Sequence, residues 1–403
     1  MGEARPALAF VAAEVPAIDG LRGAAALLVL LFHCWVFVDP PLDGGPLRAL
    51  IASGGLGVDF FFVISGFVLF LPVVLHGGQF GDRRAYAVRR VARIVPAYYL
   101  SLLLQALAVP ILTGFPVPFC TGGGLLVLVA HLLFVQHELP ASVARGVGYW
   151  GGIAGFGVNG VVWSLSIEAA FYAILPLVAR RFFRRPLLGL LLAIVTSVGW
   201  RIVALHAPAL VAEPPLTGTP ALPRLLDQYP AFFAHFAFGM CGALLYVRAA
   251  RTSILRDTGG WLIALQLAVL VVLTATMVAY GRNLDHTHVL TVARQLAAFV
   301  PALVFTSLLT LGAIAPRGPL WLLTLPRVRW LGDVSYGVFL WHLPLILLIR
   351  RHTTWITEHS DASYVVLCAL VLPASLLLGW LSRRYVEEPA IRWARRRFAR
   401  EAA

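Results

Sequence analysis

The chain has 403 residues, 60% of them hydrophobic and only 13% charged, with a mean hydropathy of +0.83. So few charges cannot coat a soluble body of this length, which excludes a soluble Rossmann or barrel enzyme, a cytosolic nucleic-acid binder and a disordered chain. The formal net charge of +13 is spread between apolar runs rather than along one face, the signature of membrane topology.

Runs of about 20 apolar residues predict membrane helices near 18–38, 55–75, 91–112, 160–179, 187–206, 229–247, 260–280, 292–314, 332–350 and 363–382. A further stretch, 122–136, is short for a crossing and opens on Gly122-Gly123-Gly124; it is expected as a short membrane-associated element. Arginine is dense at Arg83–Arg93, Arg180–Arg185, Arg248–Arg256, Arg317–Arg329 and in the tail from Arg383, whereas the alternate loops 39–54, 207–227 and 281–290 hold little of it. The positive-inside rule then puts both termini in the cytoplasm, with Arg350-Arg351 as the exception to the pattern. The expectation is an all-α integral membrane protein, a bundle of about ten transmembrane helices plus the one short extra helix. It forms one domain over 1–403: a cytoplasmic segment 1–17, the bundle 18–382 and a basic cytoplasmic tail 383–403.

All 32 basic residues are Arg, which removes any mechanism built on a lysine Schiff base. Cys34, Cys120, Cys241 and Cys368 are far apart in the chain and suggest neither a metal site nor a disulfide framework. No secretory signal peptide is evident at the start.

An ionisable side chain costs at least about 2.5–3.5 kcal/mol at the bilayer centre, so each one inside an apolar run is a functional candidate. In the first span, Asp19, Arg22 and His33 fall near one helical stripe; His33 either serves as a general base near neutral pH or hydrogen-bonds a neighbouring helix. In the second, Asp59 is placed to cap the helix N-terminus and Ser65-Gly66 to admit another helix closely. Arg89, Arg90 and Arg93 crowd one turn before Pro96-Ala97-Tyr98-Tyr99, a spacing that suits the phosphates of a donor or of anionic lipids. The fourth span reads Trp163-Ser164-Leu165-Ser166-Ile167-Glu168, with Tyr172 following, and Glu168 shares a face with both Ser164 and Tyr172. In the ninth, Ser335 and His342 lie seven apart, and Pro344 releases a backbone carbonyl near His342. Glu387-Glu388, past the last span, read as partners of the cytoplasmic arginines. The other histidines, His235 among them, receive no role, and His286-Thr287-His288 is too weak for a metal pair.

Together these motifs resemble the membrane acyltransferase-3 family of bacterial O-acyltransferases. The likeness runs from Ile18 to about Pro389 through IDGLRG with its downstream His33, GVDFFFVISGF, RRVARIVPAYY, VWSLSIEAAFY, SYGVFLWHLP and EEP. It implies a ten-helix bundle of the bacterial plasma membrane that moves an acyl group, often acetyl, from acyl-CoA to a hydroxyl of a carbohydrate or glycoconjugate acceptor, without metal. It matches His33 to the family's essential histidine, Arg22 to its partner, Arg89, Arg90 and Arg93 to the donor-linked arginines, and Glu168 and His342 to family positions. Joined to the reading of the spans, the expectation is His33 and Glu168 in catalysis, with Arg22, Asp19, Arg89, Arg90, Arg93, Trp163, Ser164, Tyr172, Ser335 and His342 in substrate binding. On this reading Glu168 or Asp19 orients the His33 ring. The competing class is a secondary transporter or flippase using the same buried charges.

Overall fold

The computed structural model describes residues 15–113, 124–136, 159–206, 226–251, 260–282, 291–315 and 318–399, which are helix, turn and loop with no strand among them. Inside hydrocarbon the backbone must satisfy its own hydrogen bonds, so each long apolar run closes into a helix. In chain order these are α1 (Pro16–Val38), α2 (Pro46–Ala52), α3 (Gly57–Leu75), α4 (Arg83–Thr113), α5 (Gly124–Leu132), α6 (Trp163–Arg184), α7 (Pro186–His206), α8 (Phe233–Arg251), α9 (Gly260–Arg282), α10 (Val292–Ala297), α11 (Phe299–Ile314), α12 (Pro326–His352), α13 (Asp361–Ser382) and α14 (Glu388–Ala399).

Among the described residues, nine helical segments are long and apolar enough to cross a membrane. The span expected at 160–179 is present as α6, a helix of 22 residues, but it falls outside those nine. Ser164, Ser166, Glu168 and its closing arginines dilute its apolar character. The short element expected at 122–136 is α5, nine residues long, or about 14 Å, half the hydrocarbon thickness. Gly122 and Gly123, Cys120, His286 and His288, and most of the loops at 207–227 and 281–290 lie outside the described residues. α4 begins at Arg83, well before the expected 91, because arginine favours helix and its guanidinium reaches the headgroups while its stem stays apolar.

The bundle is centred on α3 and α8, which among the described residues make the most extensive contact of any two helices, followed closely by α1 and α12. Gly66 and Gly239 make that approach possible: a Cβ on Gly66 would be driven into the Phe236 carbonyl, and one on Gly239 into the Val63 carbonyl. A second layer joins α1, α12 and α13 around Leu30, Val338, Ile346, Leu367 and Val371. Here Cys34 is buried and Cys368, remote in sequence, packs against the same cluster, both as free thiols.

Pro344 inside α12 removes the amide that would bond the Leu340 carbonyl, and Asn159 Nδ2 takes its place at 2.8 Å. After α13 the chain passes through a π-helical turn, Arg383–Glu387, into α14, which packs on α4. The two carboxylates there divide: Glu388 meets Arg392 at 3.4 Å, but the buried Glu387 accepts from Ser382 Oγ at 2.9 Å instead of pairing with an arginine. At the end of α12, Arg350 is held by Glu358 at 3.0 Å and by the Ile356 carbonyl at 2.9 Å.

Candidate active site

The polar residues of α1, α3, α4, α6 and α12 converge on two levels of the bundle. The first is a cavity of about 200 Å³ lined by Asp19, Arg22, Ser65, Arg90, Arg93, Ser164, Glu168, Tyr172, Ser335 and Tyr336, with Phe61, Phe62 and Phe339 at its apolar end. Glu168, expected as an isolated buried carboxylate, is clamped by two hydroxyls: Ser65 Oγ donates to its Oε1 at 2.8 Å and Tyr172 OH to the same oxygen at 2.5 Å. Ser164 and Ser335 face the cavity, but their hydroxyls return to their own helices, to the Val161 and Gly332 carbonyls at 3.3 and 2.7 Å. Tyr336 ties α12 to α4 by donating to the Ile94 carbonyl at 2.9 Å, which fixes the turn that carries Arg93.

Three guanidiniums enter this space. Arg90 lies 5.9 Å from the centre of the Tyr86 ring and 6.0 Å from that of Tyr172, and its buried Nε has no hydrogen-bond partner. Neither Arg22 nor Arg93 forms an ion pair among the described residues, and Asp19 turns to Arg329, 3.4 Å away. With Glu168 as the only other carboxylate on the walls, the cavity carries excess positive charge suited to an anionic group. Arg89 does not contribute: one residue and 100° round the helix from Arg90, it is exposed. Trp163 is also outside, its ring 5.7 Å from that of Phe232.

The second level holds the histidines. His33 and Arg22 share a face of α1, as their spacing predicts, but eleven residues of rise separate them by about 16 Å, and His33 does not line the cavity. Its partner is His342, only 1% exposed, whose Nε2 sits 3.2 Å from His33 Nδ1. The carbonyls nearby decide the tautomers, because a carbonyl only accepts. His33 Nδ1 is 2.8 Å from the Val29 carbonyl and His342 Nδ1 is 3.1 Å from that of Val338, so both rings carry hydrogen on Nδ1. His342 Nε2 therefore accepts from His33, and His33 Nε2 keeps a free lone pair. The expectation that Glu168 or Asp19 orients the imidazole gives way to His342, since those two acids are engaged at the other level. Between the levels stand Phe61 and Phe339, their ring centres 6.3 Å apart, with Phe339 5.9 Å from His342.

One buried polar group escaped the sequence reading. Asp59 caps nothing: the residue preceding α3 is Leu56 and no side chain caps that end. Its carboxylate lies 2.8 Å from Nε2 of His235, which is fully buried on α8. Beside them Arg201 of α7 donates to the Ala231 carbonyl and to both the backbone and side-chain oxygens of Gln295. A histidine in an apolar run was the available signal; its partner lies on another helix. Among the described residues no three His, Cys, Asp or Glu side chains converge as metal ligands.

A family model described as an acyltransferase domain matches residues 15–384. The chain is 27% identical to a peptidoglycan O-acetyltransferase, OatA of Listeria monocytogenes, over 93% of its own length and 55% of the relative's. It is 28% identical to the acyltransferase MdmB of Streptomyces mycarofaciens, covering 95% of this chain and 93% of that one. It is 25% identical to nodulation protein 10 of Rhizobium leguminosarum, over 81% of each. It thus spans about half the length of the Listeria relative and nearly all of the Streptomyces one. No solved structure matches.

Proposed function

Because the chain belongs to the acyltransferase domain family, we propose that it transfers an acyl group, acetyl in the simplest case, from an acyl-CoA donor to a hydroxyl of a carbohydrate or glycosylated acceptor at a bacterial plasma membrane. The observation that carries this reading is the oriented imidazole pair: His33 has a free Nε2 lone pair, and its Nδ1 hydrogen is shared between the Val29 carbonyl and His342 Nε2. In this reading the arginine-rich helix ends face the cytoplasm, and the donor's phosphates rest on Arg22, Arg90 and Arg93. Its thioester arm spans the roughly 16 Å of α1 up to His33.

There His33 Nε2 takes the proton of the acceptor hydroxyl as that oxygen bonds the acyl carbon. The carbon–sulfur bond breaks, and the imidazolium returns its proton to the departing thiolate, leaving ester and free thiol. His342 supports the imidazolium through the Nδ1 hydrogen bond, as a carboxylate does in a hydrolase triad. Glu168, held by Ser65 and Tyr172, balances part of the arginine charge at the cavity wall. Relatives named for peptidoglycan O-acetylation support an acetyl donor and a glycan acceptor.

The test is free CoA release by purified protein given acetyl-CoA and a panel of sugar acceptors. Wild type turns over only with an acceptor. His33→Ala loses about 10²–10⁴-fold, the usual worth of a general base, while still inserting into the membrane. Undiminished turnover by His33→Ala overturns the base assignment, and binding of donor and acceptor without turnover by wild type favours transport.

A further inference from the structure

A second cleft lies roughly a quarter turn round α6 from the arginine cavity and nearer the helix's C-terminal end, between α6, α7 and α8, with a volume of about 590 Å³. Its walls are apolar, among them Phe171, Phe182, Leu192, Phe236, Ala237 and Met240. The last three are 2–3% exposed, so the cleft reaches past the lipid-facing surface into the packed centre of the bundle. One end carries Arg181, Arg184 and Arg185. Arg181 donates only within its own helix, to the Leu177 carbonyl at 3.3 Å, and Arg184 and Arg185 have no ion-pair partner among the described residues.

We propose that this cleft is a binding site for one anionic phospholipid of the adjoining leaflet, its phosphate on the three arginines and one acyl chain laid along α7. Three observations converge on that occupant. From Pro186, at its start, to Thr196, which lines the cleft, α7 rises about 15 Å, the depth of one leaflet's hydrocarbon. The arginines gather at one end and supply forked donors for a phosphate, which a zwitterionic lipid neutralises with its own cation. Orientation of the chain asks for positive residues near the surface, but not for an apolar slot leading from them to the buried faces of Phe236 and Met240.

The experiment adds phosphatidylglycerol or phosphatidylcholine to delipidated protein in detergent, followed by native mass spectrometry and thermal melting. Phosphatidylglycerol is expected to stay bound and raise the melting temperature, and phosphatidylcholine to do neither. Arg184→Gln with Arg185→Gln should weaken phosphatidylglycerol about tenfold or more, from roughly one salt-screened contact per arginine. Leu192→Trp, which fills the cleft from its lipid-facing wall and leaves every charge in place, should weaken it as well. Equal retention of the two lipids, or retention unchanged in both variants, identifies ordinary boundary lipid and overturns the proposal. Displacement of the lipid by hexadecanoyl-CoA in preference to phosphatidylglycerol overturns it too, because the cleft then serves a donor chain.

Discussion

At the level of single residues, the imidazole pair turns on hydrogen positions. His33 Nδ1 has its hydrogen shared between the Val29 carbonyl and His342 Nε2, so a proton gained at Nε2 strengthens a hydrogen bond that already exists. A hydrogen bond to a charged group contributes about 1.5–3 kcal/mol, which converts to a loss of about 10–100-fold in kcat for His342→Ala. On the proposed mechanism His342 acts through His33, so KM for both substrates should hold. His342→Gln, whose Oε1 can accept the same hydrogen, should recover part of the rate; a KM effect without a kcat effect would assign His342 to substrate contact instead. Both histidines were legible in the sequence as costly groups in apolar runs. Their pairing was not, because helical periodicity orders residues around one helix and says nothing about which neighbour it meets. The same limit sent Asp19 and Glu168 to His33, when Arg329, Ser65 and Tyr172 hold them.

Among the helices, periodicity located the elements and glycine marked their closest contact. Ser65-Gly66 announced a close neighbour for α3, and that neighbour is α8, with Gly239 as the reciprocal notch. Proline inside α12 announced a freed carbonyl, and Asn159 answers it. Asp59 was misjudged because a carboxylate one turn into a helix reads as a cap; the helix begins earlier through the turn at Ser53–Leu56, and burial against His235 determines its role. Removing one member of a buried pair strands the other. Asp59→Ala is therefore expected to cost roughly 3 kcal/mol, measured as a fall in the detergent melting temperature. The double variant Asp59→Leu, His235→Leu should be less destabilised than the sum of the two single changes. Additivity would show that the two side chains are not coupled.

For the whole molecule, the cations are the most informative property of the sequence, and they are shared between orientation, the cavity and the lipid-facing cleft. Just before the segment that begins at Tyr229, burial pushes the Asp227 carboxyl up from its ordinary 3.8 to about 7, with Arg201 opposing and Asp59 adding to the shift. The folded protein thus retains a proton that the unfolded chain has released. That contribution to stability is complete below about pH 4 and is lost as pH rises through 7. The melting temperature of wild type is expected to fall between pH 5 and pH 8, and Asp227→Asn to flatten that slope; an unaltered slope would place the titration elsewhere. Each of the ten expected spans is helical among the described residues, although α6, which carries polar groups of the site, is not one of the nine apolar enough to cross by composition. The two stacked levels have a consequence for the cell's energy supply. On the proposed path from the arginines to His33, Phe61 and Phe339 stand between a positively charged hollow and a pair of proton-accepting rings, so an acyl arm passing them would share its route with any proton leak. Phe339→Gly in sealed vesicles should therefore dissipate an imposed pH gradient faster than wild type does, whether or not any acceptor is present.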